Sequence, residues 1–217
     1  MNVLPFTTPN EIREALPQVV RHLEADGLLA YPTETVYGFG GAATTRAAAA
    51  LRRLKQREPG KPFLLLVEGP RQAPGVRWTD AALTLARLFW PGPLTLVLPA
   101  RPRAFPAGVR AVDGTVALRA SPHPAVRAIL AAAGAPLTSS SANAPRRPPA
   151  LDAAGVAAAL AALNAVDVLV LDGGRLPPSR PSTIVACTDA TVRVLREGAI
   201  DRVELLNRLE GTGIHVG

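Results

Sequence analysis

The sequence predicts an α/β sheet domain. Three observations lead there. Short apolar runs of strand length alternate with segments whose apolar residues recur at helical spacing, over most of the 217 residues. Breaks carrying glycine or proline separate many of these segments. Hydrophobic residues make up 48% of the chain, which is enough to bury a sizeable core within one domain.

The elements follow in order. Thr8 can cap a first helix, with Pro9 in its first turn and Ile12, Leu16, Val19, Val20 and Leu23 along one face; Asp26-Gly27 ends it. Leu28 to Tyr31 reads as a short buried strand stopped by Pro32, and Thr33 to Gly41 as a glycine-bearing loop. A helix is expected over residues 45–54, then a central strand over the continuous apolar run 63–67. Residues 79–90 have helical spacing, broken by Pro91-Gly92-Pro93. Strands are expected at 94–98 and 115–119, and a helix near 124–133. Leu137 to Ser139 reads as a short strand entering a Ser-rich loop, and residues 144–150, rich in Pro and Arg, as a surface loop. An Ala-rich helix over 153–163 precedes a strand at 168–171 that ends at Asp172-Gly173-Gly174. Residues 182–186 and 191–195 read as a strand pair around a turn at Thr188-Asp189, and Asp201 caps a last helix to about Leu209.

Composition narrows the function classes. No apolar run approaches the roughly 18 residues of a membrane span, and the opening MNVLPFTTPNEIREALP lacks the pattern of a secretory signal. The single cysteine, Cys187, supports neither a disulfide framework nor a cysteine zinc site. A cytoplasmic chain is expected. The net charge of +7 suits phosphate-bearing partners such as nucleotides or RNA, or else a solvated Arg-rich surface. Aromatics, at 4%, are too few for a base-stacking platform. Of 24 Lys plus Arg, only Lys55 and Lys61 are lysines, and they lie in one short segment. An ammonium is a compact point charge and a guanidinium a planar fork, so at least one of these positions is expected to need the ammonium.

Walker and GxGxxG phosphate loops, a nucleophile elbow and histidines at metal-ligand spacing are all missing from the sequence. Four segments nevertheless hold polar groups that a core would reject. Thr33-Glu34-Thr35 follows a strand, where open α/β sheets bind ligands, though an ordinary turn would use the same residues. Lys55-Gln56-Arg57 and Lys61 suit a polyphosphate clamp or the dipole of a helix C-terminus. Thr138 to Ser141 with Asn143 offers neutral hydrogen bonds to phosphates or a base, or caps a turn. Ser182-Thr183 opens an apolar strand, and Arg119 ends another, where it could grip a carboxylate or form a surface ion pair.

The ordered stretches YPTETVYGFG, LKQREPGKPFLLLV, WPGPLTLVLP, TVALRASPHP, APLTSSSAN, DGG followed by PSTIV, and VLREGAI together resemble the YrdC-like threonylcarbamoyl-AMP synthases, in their short, single-domain form. The resemblance implies a YrdC-like domain over residues 5–210 with a tail at 211–217, built as a twisted mixed sheet flanked by helices with an open basic cleft. It implies synthesis of threonylcarbamoyl-adenylate and pyrophosphate from L-threonine, bicarbonate or CO2 and ATP, for N6-threonylcarbamoyladenosine in tRNA. Position by position, Lys55, Arg57, Ser141 and Asn143 match the nucleotide and phosphate tetrad, and Lys61, Thr115 and Arg196 match further nucleotide contacts. Thr35, Arg119, Ser139 and Ser182 match positions that line the threonine site, Arg119 gripping the carboxylate.

Mg2+ is expected to arrive with ATP, without dedicated protein ligands. Lys55 and Arg57 are expected to stabilise the phosphates during the chemical step. The expected partners are ATP, threonine, bicarbonate and a downstream tRNA threonylcarbamoyl transferase complex, with direct RNA contact as a further expectation and no membrane. The rival readings are a non-catalytic RNA- or ribosome-binding module and a carbamoyl-adenylate-handling enzyme. Two positions depart from the pattern. Pro149 stands where many members place an ATP-contacting serine, so that either Arg146 or Arg147 substitutes or this edge of the nucleotide site is looser. Leu66 stands where some members carry a polar substrate contact.

Overall fold

The computed structural model describes residues 2–58, 60–187 and 192–217. The chain opens with a strand that the sequence reading did not foresee, β1 (Asn2–Pro5), followed by α1 (Pro9–Glu24). Thr8 and Glu11 form a reciprocal capping box: Glu11 N donates to Thr8 Oγ1 at 3.3 Å, and Thr8 N donates to Glu11 Oε2 at 2.8 Å. Next come β2 (Leu28–Pro32), β3 (Tyr37–Gly40), α2 (Thr45–Leu54), β4 (Leu64–Leu66) and a short 3-10 turn at Pro70–Gln72. α3 (Asp80–Phe89), β5 (Leu94–Pro99), β6 (Thr115–Arg119) and α4 (Pro124–Ala133) follow. The chain continues with β7 (Leu137–Ser141), α5 (Ala153–Ala162), β8 (Val168–Asp172), β9 (Thr183–Cys187), β10 (Val192–Arg196) and α6 (Arg202–Leu209). The predicted turn at Thr188-Asp189 lies outside the described residues.

The strands form one mixed sheet in the order β1-β8-β2-β3-β7-β4-β6-β5-β9-β10. β7 is its central join. Its first half pairs with β4 (Leu64 with Ser139, Leu66 with Leu137), and its second half pairs with β3 (Gly38 with Ser141, Phe39 with Ser140). Two expectations are corrected here. The Thr33 to Gly41 segment is a loop only as far as Val36, and the serine cluster is strand rather than loop. Both read as loops because glycine and serine are weak strand formers, and tertiary pairing overrides that preference. Gly40 shows how tight the join is. A Cβ there would sit 1.8 Å from the Thr138 carbonyl oxygen, so only glycine fits.

The two halves of the sheet are covered differently. Around β2 and β8, Leu29, Tyr31, Leu169 and Leu171 pack with α1 and α4, while Leu28, Ala30, Val168 and Val170 share a core with Leu51 of α2 and Leu160 of α5. In the β4-β6-β5-β9 half, Leu65, Leu118, Leu96 and Val185 pack with Leu85 of α3 and Leu205 of α6. The alternate residues Leu64, Ala117, Arg119, Thr95 and Ile184 point the other way, into a cleft. The last residues also join the fold. Val216 bridges to Val192 of β10, and Ile214 packs on the core.

Candidate active site

The cleft has a volume of about 690 Å³. Its floor is the uncovered sheet face, and its walls are the Thr33–Gly38 segment, the Ser139–Ser141 end of β7, Pro148-Pro149, and the Pro178–Ser182 segment. Arg57, Arg119 and Arg196 face it from three separate elements, with the hydroxyls of Thr35, Thr95, Ser139, Ser140, Ser141, Ser179 and Ser182 between them. Among the described residues that line it there is no carboxylate.

Each predicted residue has a definite place. Thr35 is buried in the loop after β2, where Thr33 Oγ1 binds it at 3.1 Å and also donates to the Val36 carbonyl at 2.7 Å. Ser179 Oγ donates to the Thr35 carbonyl at 2.8 Å, tying this wall to the opposite one. Ser182 lies just before β9, 2.9 Å from the Thr95 hydroxyl. Arg119 ends β6, only 5% exposed, with Glu34 Oε1 3.4 Å from its guanidinium.

Lys55 caps α2 at its C-terminus and sends its side chain across to β7. Its Nζ donates to the carbonyls of Ser141 and Asn143 at 2.7 and 2.6 Å and to Asn143 Oδ1 at 2.9 Å. All three ammonium donors are thereby committed. Burial, followed by repulsion from Arg57, pushes its pKa down to about 8. Ser141 Oγ donates to the same Asn143 Oδ1 at 2.6 Å, and Asn143 Nδ2 donates to the carbonyls of Arg147 and Ala144 at 2.7 and 3.0 Å. Lys55 and Asn143 therefore stand just behind the lining. Arg57 reaches the cleft itself, its guanidinium 5.0 Å over the Phe63 ring and bonded to the Lys61 and Pro62 carbonyls at 3.2 and 2.8 Å. Burial, then Arg52, lowers its pKa, though a guanidinium stays charged.

Arg196 reaches the cleft because of a β-bulge. β10 pairs Val194 with Val185 and Arg196 with Ile184, leaving Leu195 as the extra residue. Regular pairing would place Arg196 on the same face as Val194, against the core. With the bulge it shares the face of Ile184 and donates to the Ser182 carbonyl at 2.7 Å. Two predicted residues do not join this set. Lys61 is solvent-exposed in an ion pair with Glu58 at 2.7 Å. Thr115 lies at the far end of β6 from Arg119 and donates to Asp113 at 2.7 Å.

Sequence reasoning missed Thr95 and Ser179. Thr95 carried a signal: it interrupts the alternation Leu94, Leu96, Leu98 on the opposite strand face. Ser179, in an irregular Pro-rich segment, carried none. Of the two departures, Pro149 lines the cleft without a donor, while Arg146 and Arg147 are exposed and outside the lining. Leu66 is fully buried in the core beneath α4 rather than facing the cleft. Among the described residues, no group of three or more His, Cys, Asp or Glu could hold a metal ion, and no helix is long and apolar enough to cross a membrane.

Residues 21–198 match the Sua5/YciO/YrdC family, described as "Telomere recombination". The chain belongs to this family. It is 43% identical over 178 residues to the threonylcarbamoyl-AMP synthase of Chromohalobacter salexigens, covering 80% of this chain and 93% of that one. The Bacillus subtilis threonylcarbamoyl-AMP synthase is 33% identical over 193 residues, covering 88% of this chain but 55% of its own length. Among solved structures, P. abyssi Sua5 complexed with L-threonine superposes with a TM-score of 0.83 at 26% identity over 100% of this chain, which spans 63% of that longer protein. A full-length HypF structure, TM-score 0.71 at 18% identity, shares the fold over 85% of this chain and 29% of its own.

Proposed function

We propose that this chain is an L-threonylcarbamoyladenylate synthase serving N6-threonylcarbamoyladenosine formation in tRNA. The observation that carries the reading is the set of three arginines from separate elements facing one cleft with neutral hydroxyls and no carboxylate among the described residues that line it. That composition suits a ligand pair that is anionic at both ends, an amino-acid carboxylate and a polyphosphate. The printed names of the relatives and the threonine bound in P. abyssi Sua5 support the same choice.

The chemistry needs no protein nucleophile. The threonine amine adds to CO2 and loses a proton, giving a carbamate. From bicarbonate, the amine proton instead leaves with hydroxide as one water. A carbamate oxygen then attacks the α-phosphorus of ATP as the bond to the bridging oxygen breaks, and pyrophosphate departs. Acceleration comes from positioning and charge neutralisation. Arg119 holds the threonine carboxylate, and Thr35, Ser139 and Ser182 line the amino acid. Arg57 and Arg196 neutralise phosphate charge, and Ser141 lines the phosphate end with its hydroxyl held by Asn143 Oδ1. Lys55 and Asn143 act from behind by fixing the end of β7, and the field of Lys55 adds to the arginines. Mg2+ arriving with ATP would neutralise phosphate charge, with the phosphates as its main ligands, which fits a lining of hydroxyls and arginines. Lys61 and Thr115, outside the lining, take no part in the chemical step.

The test is mass-spectrometric detection of threonylcarbamoyl-adenylate, with matching pyrophosphate, from the purified protein, threonine, bicarbonate, ATP and Mg2+. Product that disappears when threonine is omitted supports the reading. No product, together with a melting temperature raised by RNA and not by ATP plus threonine, would replace it with an RNA-binding module.

A further inference from the structure

The geometry points to Glu34 as the positioning residue for Arg119, offsetting its buried charge and keeping the guanidinium aimed at the amino-acid carboxylate. This deepens the proposed function and rests on it.

Arg119 is 5% exposed at the end of β6. A guanidinium removed from water is costly unless a countercharge stays close. Glu34, on the loop between β2 and β3, supplies that charge, with Oε1 3.4 Å from Arg119 Nη1. The contact is ionic without being a closed fork. Arg119 Nε is buried without a hydrogen-bond partner, and Glu34 Oε1 accepts no hydrogen bond. The pair therefore neutralises charge while leaving guanidinium donors unspent. An incoming carboxylate can take them bidentately.

Glu34 is itself fastened from behind. Ser121 Oγ donates to Glu34 Oε2, and Ser121 Oγ accepts from His123 N at 3.2 Å, where α4 begins. Arg119 lines the cleft and Glu34 does not. The contacts thus run from the start of α4 through Ser121 and Glu34 to Arg119, which faces the cleft. The same arrangement explains how two cations share the site. Arg196 lies close enough to Arg119 for the two to repel, and Glu34 offsets that repulsion on the Arg119 side. Thr35, next to Glu34, lines the cleft, so one loop brings both a substrate-lining hydroxyl and the support for the carboxylate grip.

The test compares wild type, Glu34→Gln and Ser121→Ala, using calorimetric titration with L-threonine and steady-state kinetics in both threonine and ATP. In Glu34→Gln the threonine Kd and KM should rise about tenfold to a hundredfold, with kcat and the ATP KM changed by less than about threefold. Ser121→Ala keeps the carboxylate but unfastens it, and should shift threonine KM in the same direction by a smaller factor. A general loss of fold would move kcat and both KM values together. Equal threonine affinity in Glu34→Gln and wild type, or a rise in ATP KM matching that in threonine KM, overturns the positioning role while leaving the enzyme reading intact. A wild type that neither binds threonine nor makes the adenylate overturns both.

Discussion

The Lys55 ammonium bonds Asn143 twice, through the backbone carbonyl at 2.6 Å and the side-chain Oδ1 at 2.9 Å. A third bond, to the Ser141 carbonyl, completes a tripod that pins the end of β7 to the C-terminus of α2. A guanidinium, planar and larger, cannot make these three converging bonds, which accounts for a lysine at this position in a chain with only one other, Lys61. Lys55→Ala should lower kcat/KM by on the order of 10² to 10³. Asn143→Ala should lower it comparably. Because both act through one contact, the double variant should be far less impaired than the product of the two losses. Pyrophosphate-release kinetics on the four proteins measure this, and additive losses would remove the tripod from the account.

The same lysine sets a pH dependence. With its pKa pushed down to about 8, Lys55 loses its proton as pH rises through that value, leaving two N–H donors for three acceptors and one less positive charge beside the cleft. An alkaline limb near that pH is expected in kcat/KM for ATP. It should be weaker in kcat, because bound phosphates favour the protonated form. Stability moves the other way. Between about 8 and the ordinary 10.5, the unfolded chain holds a proton that the folded chain has released, so this group's contribution to stability rises with pH over that window. Rate profiles and melts across it should therefore diverge.

Tyr31 and Tyr37, the only two tyrosines, are both pushed up to about 12, chiefly by burial. Tyr31 donates to the Thr138 carbonyl at 3.1 Å, and Tyr37 donates to the Gly174 carbonyl at 2.7 Å. Their folded values lie above the unfolded 10.0, so the stability they contribute is complete below that pH and is lost as pH rises toward 12. Phenolate absorbance should therefore appear together with unfolding, as one cooperative step. A free titration near pH 10 in protein still folded by circular dichroism would contradict the burial of both rings.

Arg196 owes its place to its pairing with Ile184, with Leu195 bulged out of the register. Arg196→Gln should raise the ATP KM by about tenfold, the loss of one charge-assisted contact, with threonine KM little changed. Deleting Leu195 removes the extra residue of the bulge but leaves Arg196 directly after Val194 and opposite Ile184, still on the cleft face, so the ATP KM should stay within about threefold of wild type. A deletion variant with an ATP KM raised as far as in Arg196→Gln would contradict the pairing of Arg196 with Ile184.

Gly40→Ala tests the central join. A methyl group 1.8 Å from the Thr138 carbonyl oxygen must push β3 from β7. A stability loss of about 1–3 kcal/mol or more is expected, read from the urea midpoint, with cleft activity falling alongside.

How much of this was legible follows the range of the interactions. The helix starts were readable because their causes are local: Thr8 and Glu11 lie three residues apart, and Asp201 caps α6 through Glu204 N. Arg119 was readable as a strand-end cation, but its partner Glu34 was not, because the loop and β6 meet only in the folded sheet. β3 and the serine half of β7 were hidden, since weak strand formers become strand only where a neighbour satisfies their backbone.

By itself the sequence determined the α/β class, most of the elements, the family resemblance and the residues around which a site could form. The tertiary structure decided which of those residues meet. It brought Arg57, Arg119 and Arg196 to one cleft, left Lys61 and Thr115 outside the lining, and placed Lys55 behind the wall, bonded to residues 86 and 88 positions away. The physical reason is the side-chain period of two. Because Leu195 is bulged out of the pairing, Val194 and Arg196 fall on opposite faces of the sheet although they are two apart, and only the pairing of β10 with β9 reveals it.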